Sequence, residues 1–596
     1  MTTAAVHSFH IPVMGLAFTI DSPIKVAHFG ISSVISIVED RLIEMMRSHY
    51  YKQQGKAYLP IGTKEPDYRA KRITDYLNLV NKMVQEQFEK LKSSAFEAGA
   101  EIVQYFEMLP EESKLKQLYY QLGKTADPAL KENLEQQLRS QMQPGSIDVN
   151  IMTKVDRDVV NKQGEPIADG SDAVTALRGY ANSTLNHSSI IFSAGMNPRL
   201  YNYLEQCNEF YQNADGSFNK RIVIKVSDYR SALIQGKYLA KKGIWVSEFR
   251  IESGLNCGGH AFASEGFLMG PVLEEFKTKR QELMDALYEI YVPALQRKNM
   301  AFPANPPAIS ISAQGGIGTY EEDKLLRQYY GLQSTGWGTP FLLVPEATTV
   351  DEHTMQLLCN AKAKDVVLSK NSPLGVRFYY LKGTSSDIEK QGRIDAGKPG
   401  SPCTEKHLAF NTEFTKEPIC TASQKYQRLK IAQLQSLNLP AATYKRQEQE
   451  VLDKECLCVS LCNAAPISYE HPFLKTQTAV SICPGPNIEN FSKTVSLKTM
   501  VDHIYGRANV VTNPQRPHLF IAELNLYIQF MKNEMEQDRL NNQMEQRKKY
   551  YHNFIQNLQA GIQYYKSIEA KINGSNFAEA LEKVKNKLKE VTEGSL

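Results

Sequence analysis

The sequence predicts an α/β protein whose N-terminal part is a closed (β/α)8 barrel of the TIM type. Three observations lead there. Short β-rich runs alternate with helical stretches, eight such runs precede residue 355, and no GxGxxG fingerprint follows the first of them. Alternating strands and helices require a parallel sheet. Eight units with none left over favour closure into a barrel. An open doubly wound sheet would carry its glycine fingerprint after the first strand.

The elements follow in order. Ile11–Phe18 is short and apolar, and Ser22 and Pro23 then open a helix that ends near Gly30. Ile31–Val38 is β-branched and reads as the second strand. A helical insertion, about residues 39–142, is rich in Lys, Glu, Gln and Leu and contains no strand pattern. Strands resume at Ile147–Met152, Ser189–Ser193, Arg221–Val226, Ile244–Ile251, Ala308–Ala313 and Gly331–Gly336, with helical patterns such as Tyr229–Lys242 and Val272–Leu295 between them. Beyond the barrel, residues 1–355, the texture changes. Residues 356–515 hold most of the cysteines and several Pro/Gly turns, and residues 516–596 read as a helical tail. In that tail Ile521, Leu524, Ile528, Met531 and Met535 recur at three- and four-residue steps, an amphipathic stripe, and Phe577–Val591 forms a last helix.

Bulk composition narrows the function classes. A chain of 596 residues exceeds one compact core and suggests two to four units. Hydrophobic residues at 42% and charged residues at 22% are ordinary for a soluble globular protein. A net charge of +4 gives no support to a nucleic-acid partner. No apolar run reaches the roughly 18 residues of a membrane span, and Met1–His10 lacks the pattern of a secretory signal. Nine cysteines, an odd number unevenly spaced, fit reduced thiols or metal ligands better than a disulfide scaffold. The expected location is cytoplasmic.

In this architecture, chemistry sits on the loops after the strands' C-terminal ends. Gln314-Gly315-Gly316-Ile317-Gly318-Thr319 follows the seventh strand, and Gly336-Trp337-Gly338-Thr339 follows the eighth. Glycines let backbone N–H groups approach an anion, and the next helix N-terminus adds its positive end. Each pair also has the plainer reading of a tight turn. After the sixth strand comes Ser253-Gly254-Leu255-Asn256-Cys257-Gly258-Gly259-His260. A histidine there suits proton transfer near neutrality, or simply bonds to the backbone of its own turn.

These segments resemble the nitronate monooxygenases and the related flavin-dependent enoyl-acyl-carrier-protein reductases. Ile11-Pro12-Val13-Met14-Gly15 resembles the family's first strand, Val149-Asn150-Ile151 its VNL strand, and Ile224-Lys225-Val226 with Ser227-Asp228 its KV strand. Cys257-Gly258-Gly259-His260 resembles the AGGH loop, Gly315-Gly316-Ile317 the GGI loop, and Gly338-Thr339-Pro340-Phe341-Leu342 the GTRFL element, with Glu346-Ala347 where the family has Glu-Ser. The resemblance spans roughly residues 10–350. It implies FMN bound across the strand ends by Met14, Gly15, Asn150, Lys225, Gly259, Gly315, Gly316, Gly338 and Thr339. It also implies His260 as acid or base, acting on a small organic or acyl substrate. Lys225 has a second reading, as a barrel lysine paired with a carboxylate such as Glu248. The chain departs from the family at Gly336-Trp337, where the family has Gln-Met, and at Cys257, where it has Ala.

Cys403, Cys420, Cys456, Cys458, Cys462 and Cys483 lie in the second region. Four thiolates hold a [4Fe–4S] cluster or zinc. The Cys458-x3-Cys462 spacing and Cys483-Pro484 favour a site, and the set read from sequence is Cys403, Cys420, Cys458 and Cys483. The absence of any CxxC pair favours buried structural thiols instead. The C-terminal helices either pack on the barrel or form a surface for a homodimer or a protein partner. An FMN-dependent oxidoreductase is thus set against a non-catalytic barrel serving as an interaction or regulatory subunit, and against a flavin/iron–sulfur electron-transfer component.

Overall fold

Eight parallel strands close on themselves in chain order: β1 (Phe9–Ile11), β2 (Ser32–Ser36), β3 (Ile147–Ile151), β4 (Ser188–Phe192), β5 (Lys220–Val226), β6 (Val246–Glu252), β7 (Ser310–Gln314) and β8 (Ser334–Gly336). The ring shuts where Phe9 and His10 of β1 stand opposite Thr335 and Gly336 of β8. This computed structural model describes residues 5–153, 156–160, 163–193, 195–258, 265–471, 477–572 and 576–593. The (β/α)8 barrel expected from the alternation is therefore the fold.

The first strand differs from its expected span. Pairing stops at Ile11, and residues 12–20 run as turns over the strand ends. Pro12 brings no N–H to a ladder, and Gly15 turns through φ 56°. The apolar character read as a strand instead serves packing, since Met14, Ala17 and Phe18 are all buried. The helix after it, Ser22–Val26 with a 3-10 turn at Ala27–Phe29, ends at Gly30 with φ 82°.

Side chains alternate across each strand, so every second residue points into the barrel. Val13, Val34, Ile191 and Val223 form a small apolar cluster apart from the main core. Two residues beyond Val34 and Val223 stand Ser36 and Lys225. The expected insertion consists of five helices, Asp40–Gln53, Tyr68–Ser93, Glu101–Met108, Lys114–Lys124 and Pro128–Gln141. The second of these lies against the barrel helix Asp172–Ala181, where a Cβ on Gly179 would come within 2.8 Å of Ala70 O.

The tail forms three helices, Leu519–Leu540, Met544–Ser567 and Phe577–Glu593. The stripe Ile521, Leu524, Ile528, Met531 and Met535 is buried. These helices pack on the barrel flank after β6. The Tyr565 hydroxyl accepts from Gly270 N at 3.2 Å, and Phe554 and Leu268 meet the glycines Gly266 and Gly561. A Cβ on Gly270 would stand 2.3 Å from the Tyr565 ring. Gly270→Ala is therefore expected to cost about 1–3 kcal/mol through overpacking, read as a lowered denaturation midpoint. Among the described residues, no helix is long and apolar enough to cross a membrane.

The region between barrel and tail carries a hairpin, β9 (Val366–Ser369) with β10 (Phe378–Leu381). It lies over the C-terminal ends of the barrel strands. Tyr379 donates to Gly254 O at 2.9 Å, Cys257 Sγ to Cys483 O at 3.2 Å, Gly258 N to the same carbonyl at 3.0 Å, and Asn487 to Ile317 O at 3.1 Å.

Candidate functional site at the barrel mouth

The strands' C-terminal ends bring polar groups to one mouth. Ser36 and Asn150 stand opposite one another on β2 and β3. Both are buried, and among the described residues Ser36 Oγ and Asn150 Oδ1 have no partner. Most buried polar atoms are satisfied, so two orphans side by side mark a place built for a polar ligand. Across the mouth, Lys225 Nζ lies 3.2 Å from Glu252 Oε1, with both side chains under 10% exposed. Asn256 and Gln314 each donate to that same oxygen at 2.6 Å. The carboxylate partner of Lys225 is thus Glu252 and not Glu248, which pairs with Arg250 at 2.8 Å and accepts from Ser312 at 2.5 Å deeper in the barrel.

The glycine turns converge on the same rim. Gly315 and Gly316 take φ 106° and 80°, a region that favours glycine. A Cβ on Gly315 would stand 3.1 Å from Asn256 and Ser253, and one on Gly316 would stand 2.5 Å from Leu255. Gly338 faces Cys257, Pro12 and Met14, and Gly258 faces Gly15 N at 2.9 Å. Met14, Gly15, Gly315, Gly316 and Gly338 therefore border one closely packed set of turns. Thr339 joins them, with its hydroxyl donating to Pro484 O at 2.6 Å. Gly259 and His260 lie outside the described residues.

Arg516 sits over the β7 turn. It grips Glu322 through two nitrogens at 2.7 and 2.9 Å and donates to Gly316 O at 2.7 Å and Asn487 Oδ1 at 3.1 Å. The Glu322 carboxylate also accepts from Gly318 N at 2.9 Å and Leu519 N at 2.7 Å. Burial alone would raise the Glu322 pKa, but the Arg516 charge and these bonds hold it below the ordinary value. Beneath the β6 loop, Glu523 is buried, and that burial raises its pKa to about 7 against bonds from Met269 N and Ser253.

The cysteines divide differently from their expected grouping. Cys403, Cys420, Cys456 and Cys458 line one narrow hollow. Cys483 is not among its walls, and its carbonyl instead accepts from Cys257 and Gly258 on the barrel rim. Cys462 stands one helical turn after Cys458, with its thiol donating to Cys458 O at 3.3 Å.

No family model matches the chain, and no curated protein does. Several solved structures are similar to it, three of them as follows. The enoyl reductase domain of MlnA from the macrolactin biosynthesis cluster of Bacillus amyloliquefaciens has a TM-score of 0.33 and 15% identity, over 71% of this chain and 94% of that one. FabK from Thermotoga maritima has a TM-score of 0.34 and 12% identity, over 84% of this chain and 93% of that one. Nitroalkane oxidase from Streptomyces ansochromogenes has a TM-score of 0.29 and 10% identity, over 63% of this chain and 84% of that one.

Sequence reasoning passed over Glu252, Asn256, Gln314, Glu322 and Arg516. Glu252 was within reach of it, because it lies four residues after Glu248 and so faces the same side of β6. Arg516 was not, because nothing in a basic residue some 200 positions beyond the glycine turn announces contact with it.

Proposed function

We propose that the barrel is an FMN-dependent oxidoreductase acting on a small organic or acyl substrate. The observation that carries this reading is the pair of unpartnered acceptors, Ser36 Oγ and Asn150 Oδ1. They stand at the mouth that also holds Lys225 and is bordered by the glycine turns. The resemblance of six segments in order to the nitronate monooxygenases supports it independently.

The residues present fit a flavin. Asn150 and Ser36 offer hydrogen bonds to a polar ring edge, and Lys225, held by Glu252, presents a cation that favours negative charge on whatever ring lies there. Met14 and Gly15 border the same turns. Gly315, Gly316, Gly338 and Thr339 would hold the phosphate, with the Arg516 guanidinium close by. The Thr339 hydroxyl, which donates to Pro484 O, would have to turn from that carbonyl to bind a phosphate there. FMN, when bound, supplies the redox chemistry, while the chain orients and tunes it. His260, with Gly259 beside it, follows Gly258 at the rim in sequence and would exchange the substrate's proton. Oxidation of a nitronate is the substrate reading the sequence resemblance favours.

The test is the visible spectrum of the purified protein, with the released chromophore identified after denaturation. Two flavin bands and FMN are expected. Asn150→Ala removes an acceptor that has no partner among the described residues, so the fold should keep its stability. FMN binding should weaken about 10- to 100-fold, the worth of one strong hydrogen bond. A colourless chain that takes up no added FMN overturns the reading and favours a non-catalytic barrel.

A further inference from the structure

Four thiols of the region over the mouth surround one hollow, and each is met by the main chain in the manner of a metal thiolate. Ala422 N donates to Cys420 Sγ at 3.4 Å. Backbone N–H groups of Lys406, Val459 and Leu408 are directed to the sulfurs of Cys403, Cys456 and Cys458. Three of these donors follow their own cysteine by two or three residues, so the local turns themselves aim hydrogens at sulfur. Such bonds favour a thiolate, and at Cys403 the pKa falls to about 7, with the Cys420 thiol as the largest cause, whereas burial raises the Cys456 and Cys458 thiols. Cys403 takes φ 59°, a conformation a non-glycine residue seldom adopts. Left-handed backbone of that kind gathers where surrounding structure fixes a functional position. Lys406 and Arg393 bring positive charge toward Cys403 and Cys456.

The spacing selects the occupant. Tetrahedral zinc, with Zn–S bonds near 2.3 Å, brings its sulfurs to within about 3.8 Å of one another. Among the described residues, the only three metal donors within 4.8 Å of each other are Glu39, Glu405 and His407. Their charges are already met, with Glu405 on Arg41 at 2.7 Å and His407 on Glu39 at 2.5 Å. Cys403 and Cys420 are in sulfur–sulfur hydrogen-bond contact, but among the described residues no three of the four sulfurs come as close together as tetrahedral zinc requires. Cys403 and Cys456 are partly exposed, and Cys420 and Cys458 are buried against Phe378, Tyr379 and Leu461, so the hollow has an apolar floor and a solvent side. Leu16 and Met152, from the ends of the first and third barrel units, pack on that same apolar cluster.

We propose that Cys403, Cys420, Cys456 and Cys458 ligate a [4Fe–4S] cluster on the roof of the barrel mouth. Iron and sulfide come from outside the chain, and each thiol gives up its proton as its Fe–S bond forms. The inference goes beyond the flavin reading and does not depend on it, because iron and flavin are measured separately.

The experiment uses the full chain, purified without oxygen and reconstituted with ferrous iron and sulfide. The expected result is about four irons and four sulfides per chain, with a broad brown absorbance that dithionite bleaches and an electron paramagnetic resonance signal after reduction. Cys403→Ser and Cys456→Ser, at partly exposed positions, should each lower iron content several-fold while circular dichroism and flavin content hold. Cys483→Ala should keep its iron. Stoichiometric zinc without iron, a Cys403–Cys420 disulfide in the anaerobic protein, or iron that survives in both serine variants would each overturn the proposal.

Discussion

Replacing Arg516 by Met is expected to lower the stability of the protein by about 3–5 kcal/mol, the range for removing one partner of a buried ion pair. The Arg516 and Glu322 side chains are only 6% and 2% exposed. Without the guanidinium, the Glu322 carboxylate keeps two backbone N–H bonds, from Gly318 and Leu519, but loses its countercharge. Burial then dominates, and the carboxyl takes up a proton at higher pH. The damage does not stay local, because Arg516 also holds Gly316 O and Asn487 and so joins the β7 turn, the strap after Cys483 and the start of the first tail helix. Denaturant unfolding of the single variant and of Arg516→Met with Glu322→Gln separates the causes. The double variant, which leaves no stranded charge, is expected to recover part of the loss. A single variant within about 1 kcal/mol of the parent would show that the pair is merely tolerated.

The barrel was legible because its signal is local. Runs such as Arg221–Val226 and Ser189–Ser193 are β-branched, short and regularly followed by helices, and a one-residue slip would turn Lys225 out of the barrel. The start of the chain was less legible. Apolar residues 12–18 satisfy a strand pattern equally well whether they join a ladder or pack over the strand ends, and only Pro12 and Gly15 weigh against the ladder. The glycine turns could be read as a rim, yet not what lies on them, since Leu255, Pro484 and Arg516 approach from three other segments. The placing of the cysteines was hard to read from their spacing for a related reason. Cys458 and Cys462 lie one helical turn apart, but the helix is short and the second thiol folds back onto the carbonyl of the first. Cys456, at the helix start, is instead turned to the hollow. Membership of a site assembled from distant loops is a tertiary property, and a one-dimensional interval carries little of it.

The region over the mouth is also held to the barrel by charge. Glu39, directly after β2, caps the helix Asp40–Gln53 through Arg41 N, and its second oxygen meets His407 Nε2 at 2.5 Å. On the ring's other side, His407 Nδ1 lies 3.7 Å from Asp172, at the first turn of the helix Asp172–Ala181. Arg69, from the second helix of the insertion, joins the same two helix starts, bonded to the Asp40 carboxylate at 2.7 Å and to the Asp172 backbone carbonyl at 3.1 Å. One imidazolium thus ties the residues after Cys403 to two barrel elements.

That tie is expected to weaken as pH rises. Burial works against a charged His407 ring, but bonds to Asp172 and Glu39 outweigh it and raise the pKa from 6.5 to about 9. A raised pKa contributes stability that is fully present below about pH 6.5 and is lost as pH climbs through 9. The difference corresponds to roughly 3 kcal/mol at about 1.4 kcal/mol per pKa unit. Asp172 behaves in the opposite sense. Burial would raise it, yet His407, Arg69 and Arg157 bring it to about 2, so its contribution is lost only in strong acid. The clamp is therefore strongest from about pH 4 to 6.5. His407→Gln keeps a neutral donor of similar reach but no charge. Its unfolding midpoint should lie well below the parent's at pH 6 and close to it at pH 9.5. The parent should also become more open to proteolysis within residues 400–480 over the same rise. Parallel midpoint curves for the two proteins would mean that the ring is neutral in the fold, and that the region is held by its apolar contacts with Leu16, Met152 and Tyr379 alone.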